Sequence, residues 1–213
     1  FPPHVGVAHE PEGRAIWVIK ISDNVASDEN EPEVLFMGLQ HAREAISGSS
    51  MIFLMQFLCQ QYAGGNTKIQ QLVNSREIFI IPCFNADGWE YNLTSEGGNA
   101  GGDWRKNRRP QAGGQFGVDL NRNWGTDWGN CPVGDASCGS NSPSSDVYYG
   151  TAAFSEPETQ RVRDWVYTRH FTAMIDQHAF GPYYSLPFGR PSLHTMNAED
   201  ANFYTRIPAI MGK

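Results

Sequence analysis

Residues 34–38 form an apolar run with no polar alternation, and this run constrains the fold more than any other feature of the chain. Such a pattern marks a strand covered on both faces. His41-Ala42-Arg43-Glu44 follows at once, and residues 45–62 then read as a helix. That helix is apolar on nearly every side, so it is expected to be buried. Gly64-Gly65 ends it. Residues 15–21, 78–83 and 171–176 have the same strand character. Ser155-Glu156-Pro157-Glu158 reads as a helix start, with Ser155 as cap and Glu158 reaching back in a capping box. That helix is expected to run to about Arg169.

Strands alternating with helices predict an α/β fold: a mixed, partly parallel twisted sheet flanked by helices. In such sheets ligands bind outside the carboxyl ends of the strands. His41, Glu44 and His178 all follow strand ends. Two long polar stretches, residues 90–115 and 124–151, read as loops, and long loops inside a compact domain are often functional. Arg105-Lys106-Asn107-Arg108-Arg109 in the first reads, taken alone, as a solvated basic segment.

At 213 residues the chain suits a single domain, residues 1–213, with a substantial core. A net charge of −7 argues against nucleic acid as partner. No apolar run reaches membrane-spanning length. Phe1-Pro2-Pro3 lacks the basic and apolar segments of a signal peptide and reads as an internal start. Cys131 and Cys138 lie in a Gly/Ser/Pro-rich loop where a disulfide closes a short ring. Cys59 and Cys83 lie in apolar segments, as two buried thiols or a second bridge. Asn92-Leu93-Thr94 fits an N-glycosylation acceptor. Together these features favour a secreted, extracellular protein. Nothing suggests obligate assembly, and a monomer is expected.

His41 and Glu44 are three residues apart at a strand-to-helix junction, where both side chains can converge. His178 supplies a third ligand from elsewhere. Two imidazoles and one carboxylate suit a catalytic zinc ion, which keeps a fourth position open. The HxxE spacing alone better fits a surface histidine beside a helix-starting glutamate, and the other features reverse that preference. Asp119 is a plausible carboxylate partner for the distal nitrogen of His41, or else an ordinary turn residue. Arg105, Asn121 and Arg122 suit recognition of a carboxylate.

Seven segments in order carry a resemblance. They are Glu12-Gly13-Arg14, His41-Ala42-Arg43-Glu44, Asn85-Ala86-Asp87-Gly88, Trp104-Arg105-Lys106, Asp119-Leu120-Asn121-Arg122-Asn123-Trp124, Phe154-Ser155-Glu156-Pro157-Glu158 and His178. With them the chain resembles the zinc metallocarboxypeptidases of the carboxypeptidase A/B type. The resemblance implies an eight-stranded mixed sheet and a single zinc ion held by His41, Glu44 and His178. It implies that Arg105 stabilises the oxyanion, that Asn121 and Arg122 grip the free C-terminal carboxylate of a peptide or protein, and that Arg43 contacts substrate further from the cut.

The sequence departs from that family in places. Asn85-Ala86-Asp87-Gly88 has Ala where Pro is usual, and Ala179-Phe180 replace the small hydroxyl residue and Tyr common after the third ligand. The family's general-base glutamate and mobile tyrosine lie well downstream of the third ligand, and residues 179–213 are too few to reach either. Glu199, in the apparent start of a helix, is a poor substitute. The domain is therefore expected to be incomplete at its C-terminus, and the chain alone is expected to have little or no peptidase activity. A zinc-binding pseudoenzyme that holds peptide C-termini without cleavage is the alternative. Amide deacylation of small molecules ranks below both.

Overall fold

The computed structural model describes residues 5–9, 13–94, 102–131, 138–181, 184–185 and 195–211. The chain divides into two compact units, Phe1–Ala179 and Phe180–Lys213. In the second, the described helix is α5 (Ala198–Met211). The first holds the sheet, whose order is β1-β2-β4-β3-β5. Its strands are β1 (Val5–His9), β2 (Ala15–Ile21), β3 (Glu33–Gly38), β4 (Glu77–Ile81) and β5 (Phe171–Gln177). β2 pairs antiparallel with β1 and β4, whereas β3 lies parallel to both β4 and β5. The sheet is mixed and partly parallel, as the strand–helix alternation predicts.

The unbroken apolar runs have a simple cause: both faces of the central strands are covered. Successive side chains alternate across a strand. Leu35 and Met37 of β3 join Phe79 and Ile81 of β4 in one core, with Val162 from α4 (Pro157–Val166). Val34 and Phe36 join Ile78 and Ile80 in the opposite core, under Met51 and Leu58 of α1 (Ala45–Ala63) and Val73 of α2 (Thr67–Val73). Leu35, Met37, Ile80 and Ile81 are buried. Truncating any of them to Ala would cost roughly 2–5 kcal/mol.

The amino ends of the three parallel strands are tied by charge. Glu33 opens β3 and Glu77 opens β4, and both are buried. Arg169, just before β5, reaches Glu33 at 2.9 Å and Glu77 at 2.8 Å. This cation neutralises two acids that would otherwise repel inside the protein. The carboxyl ends of the same strands are left to carry the site.

Several expectations need correction. α1 is not buried all round: only Ser47, Gly48, Met51 and Leu58 are buried, while Ile46 is 62% and Phe53 67% exposed. One stripe of the helix suffices to cover the sheet, and the pattern cannot say which stripe. The capping box at α4 does not form. Ser155 Oγ donates to Glu156 Oε1, and Glu158 Oε1 instead accepts from Asn107 Nδ2. α4 itself ends at Val166, short of Arg169. Residues 90–94 belong to α3 (Ala86–Thr94) rather than to a loop. Cys59 is exposed and Cys83 half-buried, and no disulfide joins them, so neither expectation for them holds. Asn92 is fully buried and exchanges hydrogen bonds with the Trp104 backbone, which leaves no room for a glycan. The Cys131–Cys138 disulfide forms as expected. Glu12 lies outside the described residues.

Candidate metal centre

The site begins where β3 ends. Leu39 takes a left-handed backbone with φ 57°, unusual for a branched, buried side chain. Such a residue costs on the order of 1–3 kcal/mol and persists only where its surroundings enforce it. Here Ser47 Oγ accepts from Leu39 N and donates to Glu44 O, pinning the strand end to the first turn of α1. Gly38 permits that approach, because a Cβ there would lie 2.8 Å from Met51 Cγ and 2.9 Å from Ser47 O. The result is a tight turn, Glu44 N to His41 O, that directs His41 and Glu44 to one point.

His178, one residue beyond β5, reaches the same point because β5 pairs in parallel register beside β3. His41 Nδ1 lies 2.7 Å from Glu44 Oε1, and His178 Nδ1 lies 2.9 Å from Glu44 Oε2. The two Nδ1 atoms are 3.1 Å apart. Ligand atoms around a tetrahedral zinc with bonds near 2.0–2.1 Å lie about 3.3 Å apart, so this donor set fits one such ion closely. A cation bound between them would share both Nδ1 atoms and the Glu44 carboxylate.

Burial alone would raise the Glu44 pKa, but hydrogen bonding and charge from His178 and His41 hold it well below the usual carboxylate range. Burial opposes charge on His178, yet Asp176 and Glu44 outweigh it and push its pKa up to about 10 without metal.

Asp119 sits behind His41. It is fully buried, and its Oδ1 lies 3.2 Å from His41 Nε2, within ion-pair reach although the angle falls short of a regular hydrogen bond. Burial would raise its pKa, but His41, Arg105 and Arg122 together lower it. Its Oδ2 accepts from Arg105 Nε at 3.1 Å and from Nη2 at 2.8 Å. One carboxylate thus joins the metal-ligand ring to the arginine.

The Arg105–Arg109 segment is not a solvated loop. Lys106 and Asn107 are buried. Asn107 donates to Glu156 and Glu158, Arg109 pairs with Glu156, and the Arg108 guanidinium stacks against Tyr91, Trp104 and Phe116. Hydrogen bonds from the Ala42 backbone N and the Asn85 side-chain Nδ2 to Arg105 O fix the segment beside the ligand turn. Asn121 is also near, with Nδ2 3.5 Å from His178 Nε2, and Arg122 donates to Asn121 O. Arg43 turns elsewhere, to Asp103 and Asp146.

Two participants escape the motif reading. Asp176 Oδ2 lies 3.1 Å from His178 Nε2 and accepts from buried Gln40 Nε2 at 2.9 Å. Strand alternation places Asp176 and His178 on the same side, and that period was the available signal.

Comparison with known proteins bears on this geometry. Carboxypeptidase B of Helicoverpa zea is 35% identical over 201 residues, covering 91% of this chain and 43% of its own length. Inactive metallocarboxypeptidase ecm14 of Talaromyces marneffei is 30% identical, covering 88% of this chain and 32% of its own. The crystal structure of carboxypeptidase A from Helicoverpa armigera superposes with a TM-score of 0.68 at 31% identity, over 84% of this chain and 41% of that one. The chain thus spans less than half the length of these relatives. The zinc carboxypeptidase profile matches residues 5–209, and with this coverage the chain belongs to the zinc carboxypeptidase (peptidase M14) family.

Proposed function

We propose that His41, Glu44 and His178 hold one zinc ion in the catalytic region of a metallocarboxypeptidase that removes C-terminal residues from peptides and proteins. The observation that carries this reading is the convergence of both Nδ1 atoms and the Glu44 carboxylate within 4.8 Å of one another. Zinc in such a site polarises a scissile carbonyl and lowers the pKa of a water.

The chain's own residues do the rest. Asp119 orients His41 and anchors Arg105. Arg105 presents a fixed cation where negative charge develops on the carbonyl oxygen. Such a donor favours the transition state over the ground state, and removing one typically costs about 2.7–4 kcal/mol of barrier. Arg122 and Asn121 engage the terminal carboxylate, since an exopeptidase must read the chain end at a set distance from the cut. Arg43, held by exposed Asp103 and Asp146, is available to a longer substrate by exchanging those weak surface pairs. The Cys131–Cys138 bridge supports an extracellular setting.

Among the described residues, Glu44 is the only glutamate in contact with the two imidazoles, and it serves as ligand. A binding-only role is the second reading, favoured by the similarity to a relative named as an inactive metallocarboxypeptidase.

The test offers the zinc-loaded protein a peptide with a free C-terminus and the same peptide as its C-terminal amide. The free acid should bind at least ~10-fold tighter, since a lost charge-assisted hydrogen bond is worth about 1.5–3 kcal/mol. Arg122→Ala should erase the difference. Equal binding of both peptides to the parent would overturn the carboxylate-reading role.

A further inference from the structure

We infer that Asp176, backed by Gln40, is a positioning residue that fixes the ring of His178 for metal binding. The inference rests on the zinc-site reading above and adds a second carboxylate to it. Asp176 lies on β5 two residues before His178. Met37 of β3 is its register partner, so the end of β3 delivers Gln40 to the same place.

Gln40 is almost fully buried, and its Nε2 donates to Asp176 Oδ2 at 2.9 Å. The same oxygen lies 3.1 Å from His178 Nε2. An oxygen already accepting from an amide is best matched by a second N–H. That places the His178 proton on Nε2 and leaves the Nδ1 lone pair facing Glu44 and His41. The Asn121 amide is farther from Nε2, at 3.5 Å, so Asp176 is the better-placed acceptor for that proton.

The arrangement mirrors the other ligand, where Asp119 stands 3.2 Å from His41 Nε2. Each imidazole then has its own carboxylate, which sets its tautomer and raises its basicity toward the metal. Gln40 adjoins His41 in sequence and touches the partner of His178, so it also ties the two ligand-bearing strand ends together. Asp176 does not meet the substrate in this account and acts through His178.

The experiment measures zinc dissociation constants by competition with a chromophoric chelator. It compares the parent with Asp176→Ala, Asp176→Asn, His178→Ala and Met174→Ala, the last an exposed control on the same strand. Carboxylate partners of metal-bound histidines typically contribute about 10–100-fold in affinity. Asp176→Ala should lose that much. Asp176→Asn, which keeps an acceptor oxygen without the charge, should lose less, and Met174→Ala should match the parent. Imidazole ¹⁵N spectra of the zinc-loaded parent should show His178 protonated at Nε2, with the signal shifted in Asp176→Asn. Affinities of both Asp176 variants within twofold of the parent would overturn the inference while leaving the zinc site standing. Parent affinity retained in His178→Ala would instead overturn the ligand set itself.

Discussion

Removing the charge of Asp119 tests the connection between the metal ligands and the arginine. Asp119→Asn keeps the shape but leaves the Arg105 guanidinium, 12% exposed, without its carboxylate. Breaking a buried ion pair from one side costs about 3–5 kcal/mol, because the remaining charge stays desolvated. Arg105 retains some solvent contact, so about 3 kcal/mol is the expected loss in denaturant unfolding of the zinc-free protein. The amide can still accept from one donor, but it no longer supplies a carboxylate 3.2 Å from His41 Nε2. Zinc affinity should therefore fall, by less than the about 10–100-fold expected when such a carboxylate partner is removed outright. Combining Asp119→Asn with Arg105→Met, which removes the stranded cation, should recover part of the stability but none of the zinc affinity. The reasoning would be refuted by a stability change under 0.5 kcal/mol together with unchanged zinc binding.

Other perturbations follow from the same structure. Burial, with Glu156 and Asp87 nearby, pushes the Glu158 pKa up to about 8, so the folded protein binds a proton there that the unfolded chain releases near 4.5. This contribution is full below about pH 4.5 and fades as pH rises through 8; Glu158→Gln should flatten that part of the pH–stability curve measured by urea unfolding. Gly38→Ala should destabilise by roughly 1–3 kcal/mol in thermal or chemical unfolding, because its methyl meets the Ser47 backbone oxygen, which cannot rotate away. Expression through a glycosylating secretory pathway should give protein whose peptide mass map shows no glycan on Asn92, since that side chain is buried in the folded protein.

The sequence carried the parts of the fold that local pattern dictates. Residues 34–38 read as a doubly covered strand because burial on both faces removes the polar alternation, and β3 has that environment. The spacing of His41 and Glu44 and the place of His178 after a strand were enough to bring the three together. What escaped depends on partners distant in sequence. The Arg105–Arg109 run looks solvated until Asp119, Glu156 and Glu158 are placed against it. The capping box at Ser155 was plausible locally but lost to Asn107, which draws Glu158 into the interior. Asp176 reads as one polar residue in a strand, and only the parallel register beside β3 reveals its neighbours His178 and Gln40.

X-ray absorption at the zinc edge of the purified, zinc-titrated protein tests the central claim most directly. The account predicts one zinc per chain with two imidazoles, a carboxylate oxygen and a further oxygen at about 2.0–2.2 Å, and loss of one imidazole in His178→Ala. A sulfur ligand near 2.3 Å, or zinc retained with an unchanged spectrum in His178→Ala, would contradict it.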